Sequence, residues 1–215
     1  MEKVFLLDIG GTNVRYALAE KGKTSIEKIF KKNIGSESLD KLLEDLLTTE
    51  SGKVLNLVIS AAGPKLGGII KMTNRFYKID PDEIKEKFSL KECHLLNDWE
   101  SIAYGHAYLN QKDCINLINK EVSSYNKNSL YFGPGTGLGV SILLHDQIVI
   151  SSEYGNTNIG VEELNGEDLS KLHHFKSIED TLSGKAISKI YEIKTRKNLS
   201  AEAVSYTHLR AHETQ

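Results

Sequence analysis

The sequence predicts an α/β fold, and three observations support that prediction. Strand-like apolar runs are interspersed with segments whose apolar residues recur at helical spacing. A hairpin of strand, glycine-rich turn and antiparallel strand occurs at 5–18 and is repeated at 130–144. The composition, 40% hydrophobic and 26% charged over 215 residues, is that of a globular protein. Because the hairpin occurs twice, we expect two related lobes.

The first half of the chain predicts helices between short strands. Leucines at helical spacing over 39–47 indicate a helix with Ser36 or Ser38 as its N-cap. Asp80 is the expected N-cap of a second helix, and Glu83 is expected to close its capping box. The other expected elements are strands at 3–9, 13–19, 54–60, 69–73 and 93–96, and a helix from about 99 to 109.

The second half predicts a smaller set of elements after a polar stretch. Residues 110–128 are polar and weakly patterned, so a domain junction is expected there. Strands are expected at 129–132, 139–145 and 147–150, and a broken helix over 161–193. We therefore expect a small N-terminal α/β lobe over 1–110, a partial large α/β lobe over 111–203 and a tail over 204–215.

Charge and cysteine spacing argue against several classes of function. The formal net charge is −2 and no basic stripe is interleaved with aromatic residues, which argues against nucleic acid as a partner. No apolar run is long enough to span a membrane, and residues 1–8 are too short for a signal peptide. Cys93 and Cys114 form neither a CxxC pair nor a zinc spacing. The sequence therefore predicts a cytoplasmic protein without a membrane or nucleic-acid partner.

The two glycine turns are candidate phosphate-binding elements. Neither has the spacing of a dinucleotide fingerprint or a P-loop. A hairpin tip that exposes backbone N–H groups still forms an anion site, and Thr12 and Thr136 add hydroxyl donors at matching places. Asp8 precedes the first turn, and a carboxylate facing polyphosphate is repelled unless a cation lies between, so Asp8 is expected to hold Mg²⁺ through water. Two ordinary hairpins are the alternative interpretation.

The segment LLNDWESIAYG (95–105) places polar residues where a strand ends and a helix begins. Ligands of α/β proteins gather at the carboxyl ends of strands, and a carboxylate there can take a proton from a hydroxyl nucleophile. Asp98 is therefore a candidate base. Asn97 and Glu100 also form a good capping box, and the two roles are compatible because Asn97 can cap while Asp98 points into a cleft.

Six motifs, taken together and in order, resemble those of bacterial-type glucokinases. They are LDIGGTNVRYAL, MTNRF, LLNDWESIAYG, GPGTGLGVS, SEYGN and IEDTLSG. The resemblance covers roughly residues 3–190, and DIGGTN with NDW and GTGLG is specific where no single motif would be. It implies the two-lobed actin-like ATPase (ribonuclease H-like) fold of the hexokinase, actin and Hsp70 superfamily, with an incomplete second lobe.

The resemblance also implies an activity and a set of site residues. It implies transfer of the γ-phosphoryl group of ATP to the 6-hydroxyl of a hexose, glucose foremost, as in the first step of glycolysis, with Mg²⁺ and with Asp98 as general base. The first phosphate motif would comprise Asp8, Gly10, Gly11, Thr12 and Asn13, and the second Gly135, Thr136 and Gly137. The sugar ligands would be Asn97, Glu153, Asn156 and Glu179. A homodimer is left open.

The chain departs from the family pattern in two places. Glu153 is followed by Tyr-Gly-Asn where the family usually shows Gly-Gly-His, and Asn156 cannot titrate and has a shorter reach, so the sugar specificity stays open. Family members continue well beyond residue 190, through a glycine-rich adenosine-binding segment and a terminal helix. The ending AVSYTHLRAHETQ resembles translated cloning-adapter sequence, with a genuine frayed helix and tail as the alternative.

Three other functions stay open. An inactive glucokinase fragment is one, and we expect weak or absent activity for the chain as given. A non-catalytic sugar-binding relative is another, although repressors of this kind carry an N-terminal helix-turn-helix and the first phosphate motif here begins almost at residue 1. An acyl-phosphate kinase would need arginines around a carboxylate substrate, and only Arg15 and Arg75 lie near the expected cleft. Asp98, Glu153 and both turns are expected to face that cleft.

Overall fold

A computed structural model describes residues 2–26, 28–49, 55–72, 75–110, 112, 114–115, 126–158 and 175–204. The chain divides into two compact units, Met1–Ser124 and Tyr125–Gln215. Both units combine strands with helices, so the α/β prediction is confirmed. Much of the expected junction, most of the expected tail and residues 161–174 of the expected broken helix lie outside the described residues. Within the described residues, no helix is both long and apolar enough to cross a bilayer.

The first unit is built on a five-stranded sheet with the order β3-β2-β1-β4-β8. Its elements are β1 (Lys3–Ile9), β2 (Asn13–Glu20), β3 (Ile29–Asn33), α1 (Leu39–Thr49), β4 (Asn56–Ala61), β5 (Lys65–Leu66), β6 (Ile69–Lys71), β7 (Lys78–Ile79), α2 (Pro81–Lys87), β8 (Glu92–Asn97) and α3 (Asp98–Tyr104). Strands β5, β6 and β7 form a separate small antiparallel sheet.

The register of the large sheet sets where its polar strand ends lie. Strands β1 and β2 pair antiparallel as the expected hairpin, whereas β1, β4 and β8 run parallel. Ile9 pairs with Ala61, and Ala61 pairs with Asn97. The carboxyl ends of β1 and β8 therefore lie at the same edge of the sheet, with β4 between them, which is where parallel sheets present ligand-binding groups.

Helix α1 covers the sheet with its leucines. Leu42 and Leu43 are fully buried, and both belong to the main hydrophobic core. Burying a leucine side chain contributes about 1.5–3 kcal/mol, so this helical face fixes α1 on the sheet. The hydroxyl of Ser38 accepts a hydrogen bond from the Lys41 N–H at 3.3 Å, so Ser38 acts as the cap of this helix.

The second unit is a three-stranded antiparallel sheet with short helices. Its elements are β9 (Ser129–Pro134), β10 (Leu138–Leu144), β11 (Ile148–Ser152), α4 (Glu179–Leu182), α5 (Gly184–Thr195) and α6 (Ala201–Val204). Strands β9 and β10 form the second expected hairpin. The buried apolar cluster described here contains only Phe175 and Ala186, with Ile190 packed against it. Among the described residues, this cluster is much smaller than the main core of the first unit.

Two local expectations need correction. The helix expected from about 99 to 109 ends at Tyr104 and continues as a 3₁₀ turn over Gly105–Tyr108. Asp80 caps α2 as expected, accepting from two backbone N–H groups. Glu83, however, accepts from the ammonium of Lys78 at 2.6 Å rather than closing the capping box. A nearby cation outcompetes a neutral backbone N–H for a carboxylate, because charge-assisted hydrogen bonds are the stronger kind.

Candidate active site

Asn97 is the last residue of β8 and the N-cap of α3. Its side-chain oxygen accepts from the N–H of Trp99 at 2.9 Å and of Glu100 at 3.4 Å. The Glu100 carboxylate accepts in return from the Asn97 N–H at 3.0 Å. The expected capping box is confirmed. It fixes the first turn of the helix, and Asp98 is the first residue of that turn.

A largely buried ion pair supports this cap, and no local pattern of residues predicts it. The Glu100 carboxylate is 10% exposed and accepts from the Lys65 ammonium at 3.1 Å. The Asn97 amide also donates to the Gly63 carbonyl at 2.8 Å. Gly63 has φ +142°, and an added Cβ would lie 3.0 Å from the Lys71 carbonyl oxygen, so only glycine fits there. The loop after β4 is thereby tied to the start of α3.

Asp98 holds its proton more tightly than an ordinary aspartate. Partial burial is the main cause that raises the pKa of its carboxyl, and the negative charge of Asp8 adds to it. A hydrogen bond from the Trp99 N–H acts in the opposite direction. A raised carboxylate pKa is the shift that makes a carboxylate a better general base near neutral pH.

Asp8 and the first glycine turn lie at the end of β1. The turn is closed by a hydrogen bond from the Gly10 N–H to the Asn13 carbonyl at 2.9 Å. The Asp8 carboxylate accepts from the Arg15 guanidinium at 3.1 Å, and both side chains are about half exposed. The described residues contain no cluster of three or more metal-ligating side chains. One carboxylate beside a phosphate site nevertheless suits Mg²⁺, which is commonly bound through one or two carboxylates and the substrate's phosphates.

Arg75 binds the first turn from a distant part of the sequence. Its Nε donates to the Gly11 carbonyl at 2.7 Å. Its two terminal nitrogens donate to the carbonyls of Ile34 and Gly35, both at 2.8 Å. Arg75 belongs to the motif MTNRF, and from the sequence it is expected only as a possible carboxylate ligand. A separation of 64 residues from Gly11 left no local pattern from which this contact could be predicted.

In the second turn, the close neighbour of the glycines is a carboxylate of the protein itself. Glu179 accepts from the Leu138 N–H at 2.9 Å. A Cβ added at Gly137 would lie 2.5 Å from the same carboxylate oxygen. The Gly184 N–H donates to the Gly135 carbonyl at 2.9 Å, which ties the turn to the start of α5. Gly137 thus leaves room for the Glu179 carboxylate, and its expected role in phosphate binding stays a prediction.

The structure brings together some of the expected sugar ligands within the second unit. The Asn156 amide donates to the Glu153 carboxylate at 3.4 Å, and both residues are exposed. Glu179 instead lies against the second turn, through its contact with Leu138. Asparagine can therefore orient the Glu153 carboxylate at the position where the family usually has histidine.

The chain matches known proteins along almost its whole length. The family model described as glucokinase matches residues 5–214. The glucokinase of Zymomonas mobilis subsp. mobilis is 28% identical over 208 residues, which cover 88% of this chain and 63% of that protein. The chain therefore spans less than two thirds of the length of this curated relative.

Solved structures show the same fold. The glucokinase of an Antarctic psychrotroph superposes with a TM-score of 0.78 at 26% identity, over 99% of this chain and 72% of that one. Balamuthia mandrillaris glucokinase in complex with glucose gives 0.67 at 21%, over 99% and 71%. A ROK family glucokinase of Streptomyces griseus in complex with glucose and AMPPNP gives 0.58 at 17%, over 90% and 62%. The fold is that of the actin-like ATPases, and the chain belongs to the glucokinase family.

Proposed function

We propose that this protein is an ATP-dependent glucokinase, which transfers the γ-phosphoryl group of ATP to the 6-hydroxyl of glucose. The observation that carries the proposal is the pair Asp8 and Asp98 at the carboxyl edge of the parallel strands, where the negative charge of Asp8 helps to raise the pKa of Asp98. One acid beside a glycine turn and one at a helix start are what a phosphate site next to a hydroxyl site requires. The glucose and AMPPNP bound to solved relatives support the choice of substrates.

The proton of the sugar hydroxyl would go to Asp98. As the 6-hydroxyl oxygen forms its bond to the γ-phosphorus, the bond from that phosphorus to the bridging oxygen breaks and ADP leaves. Asp98 takes the hydroxyl proton and releases it to solvent afterwards. The Asn97–Glu100 cap and the Lys65 ion pair fix the start of α3, so the carboxylate is held in place before the sugar arrives.

The first glycine turn would bind the phosphates through Gly10, Gly11, Thr12 and Asn13, and the second through Gly135, Thr136 and Gly137. Backbone N–H groups and threonine hydroxyls stabilise charge on the transferring group without rearranging during the reaction. Asp8 would hold Mg²⁺ on the side of the first turn, and that ion would neutralise phosphate charge when bound. Because Arg15 already partly neutralises Asp8, this cation site would be weaker than one built on a free carboxylate.

The sugar would be held by Asn97, Glu153, Asn156 and Glu179. Carboxylates accept hydrogen bonds from sugar hydroxyls, and the Asn156 amide both donates and accepts. The contact between Glu179 and Leu138 implies that this carboxylate would serve both the sugar and the second turn. Glucose is proposed as the substrate because relatives bind it, and Asn156 leaves room for a different preference among hexoses.

A coupled assay of ADP formation with a panel of hexoses tests the proposal. With a chain extended to the length of its relatives, we expect ADP release that requires both a hexose and Mg²⁺, with glucose 6-phosphate as the product identified by chromatography. The control is the same protein with each hexose replaced by its 6-deoxy analogue, which lacks the acceptor hydroxyl. ADP release that is equal with and without sugar, on a chain extended to the length of its relatives, would contradict the proposal.

A further inference from the structure

Three backbone carbonyls of the first glycine turn accept hydrogen bonds from the protein itself. The Gly11 carbonyl accepts from the Arg75 guanidinium at 2.7 Å. The Thr12 carbonyl accepts from the Ile34 N–H, and the Asn13 carbonyl from the Gly10 N–H, both at 2.9 Å. Carbonyl oxygens repel phosphate oxygens, so a turn that binds phosphate needs its carbonyls engaged elsewhere. Of the three donors, only Arg75 is a side chain.

The side chain of Arg75 is itself positioned by a neighbouring tyrosine. Its guanidinium lies over the ring of Tyr77, 5.6 Å from the ring centre, and Tyr77 is 7% exposed. The Tyr77 hydroxyl donates to the Glu37 carbonyl at 2.7 Å. The guanidinium also bridges the turn to the carbonyls of Ile34 and Gly35 after β3. Each of the three guanidinium nitrogens therefore donates a hydrogen bond, an arrangement that a lysine ammonium could not reproduce.

From this arrangement we propose that Arg75 is a positioning residue for phosphate binding by the first glycine turn. The inference rests on the proposed function and deepens it. The carbonyl of Gly11 and the N–H of Thr12 belong to one peptide group. A cation on that carbonyl polarises the group and makes its N–H a stronger donor to an anion. Arg75 thus sets both the shape of the turn and the strength of its N–H groups, without touching the substrate.

Amide hydrogen exchange of Arg75→Met and Arg75→Lys tests the shape directly. We expect the Gly10 and Ile34 amides to exchange at least about tenfold faster in Arg75→Met, because their hydrogen bonds close and anchor the turn. The amide of Ile59, in the fully buried part of β4, should be unchanged. Arg75→Lys should fall between, since lysine keeps the charge and loses the fork. The matched control is Lys31→Met, an exposed cation on β3.

Kinetics and binding of the same variants test the consequence for nucleotide. In Arg75→Met, we expect the KM for ATP and the Kd for Mg·AMPPNP to rise about tenfold, with the KM for glucose within about twofold of the wild type. A merely structural role would reduce the active fraction and leave each KM unchanged. If Arg75→Met fails to fold, the same KM and Kd measurements on Arg75→Lys test the proposal.

The outcomes separate this inference from the proposed function. Unchanged exchange at Gly10 and Ile34 would overturn it, and so would faster exchange with an unchanged Kd for Mg·AMPPNP. A wild-type chain that binds Mg·AMPPNP but phosphorylates no sugar would contradict the proposed function alone, and the Kd values would still decide the role of Arg75. A wild-type chain that binds no Mg·AMPPNP would reject both.

Discussion

The two glycine turns have similar sequences, but the side chains that stabilise them carry opposite charges. In the first, a cation binds a backbone carbonyl, from Arg75 to Gly11 at 2.7 Å. In the second, a backbone N–H donates to an anion, from Leu138 to the Glu179 carboxylate at 2.9 Å. Arg75 therefore engages an acceptor and leaves N–H groups for an anion, whereas Glu179 uses an N–H and brings a negative charge. We infer that the first turn is the stronger phosphate site and that the second depends more on charge neutralisation.

The two hairpins also differ in how far their apolar side chains are buried. The first turn connects strands whose side chains reach the main core, among them the fully buried Phe5, Ile9 and Val14. In the second hairpin, β10 has buried apolar side chains, whereas Leu130 and Phe132 on β9 are more than half exposed. Strand β9 gains less from apolar burial, so we expect its turn to rely more on single polar contacts such as that of Glu179. Substitutions at the two turns should therefore have different consequences.

The largest expected effect is on the turnover number, and it follows from a substitution at Asp98 in the unit that carries the first turn. Asp98→Asn keeps the size of the side chain and its ability to accept from Trp99, but removes the base. The turnover number should fall by about 10²–10⁴-fold while the affinity for sugar stays close to that of the wild type. Thr136→Val, in the second turn, should instead raise the KM for ATP. If Thr136→Val lost as much turnover as Asp98→Asn, the different roles assigned to Asp98 and to the second turn would be contradicted.

The next largest effect concerns the ion pair behind Asn97. Lys65→Met leaves the Glu100 carboxylate, which is only 10% exposed, without its cation. We expect the free energy of unfolding to fall by about 2 kcal/mol, measured by urea denaturation, because the pair is largely but not fully buried. Lys71→Met, an exposed lysine on β6, is the matched control and should cost less than about 0.5 kcal/mol. Equal losses in the two variants would contradict a structural role for Lys65.

A smaller effect distinguishes two glycines of the second turn. Gly137→Ala forces the Glu179 carboxylate away from the Leu138 N–H, and we expect a loss of about 1–2 kcal/mol in unfolding free energy. Gly135→Ala meets nothing closer than 4.0 Å and should be nearly neutral. In a Glu179→Ala background the cost of Gly137→Ala should vanish. A cost that persists there would show that Glu179 is not the reason for the glycine.

The smallest effects are changes of stability with pH, and they have opposite signs in the two units. Burial raises the pKa of Asp98, so the folded state binds its proton more tightly, and stability falls as pH rises from the unfolded value towards the folded one. Backbone N–H groups of Lys176 and Ser177 lower the pKa of Asp180, whose contribution is present above the unfolded value and is lost as pH falls.

Urea unfolding at pH 3 and pH 7 measures both contributions. At pH 7, Asp98→Asn should be more stable than the wild type and Asp180→Asn less stable. Both differences should shrink at the lower pH. Asp98 is then protonated in both states, whereas the lowered pKa of Asp180 means that its carboxyl protonates first in the unfolded state. Destabilisation by Asp98→Asn at pH 7 would contradict the assigned burial of this carboxylate.

Local spacing predicted the parts of the fold and site that are local. Both hairpins and the caps at Asp80 and Asn97 follow from residues within four positions of each other. The contact of Arg75 with Gly11 spans 64 residues and that of Glu179 with Leu138 spans 41. Such pairs are set by sheet order and strand register, which no local pattern contains. The same limit explains why the close approach of Glu179 to Gly137 could not be predicted, because the two residues are distant in sequence.

The central claim is that both glycine turns bind the phosphates of one ATP molecule. It is tested most directly by following backbone amide resonances during titration with Mg·AMPPNP. The account predicts that Gly10–Asn13 and Gly135–Gly137 shift together with a single Kd, and that Arg75→Met weakens that Kd. Shifts confined to one turn, or to neither, would contradict it.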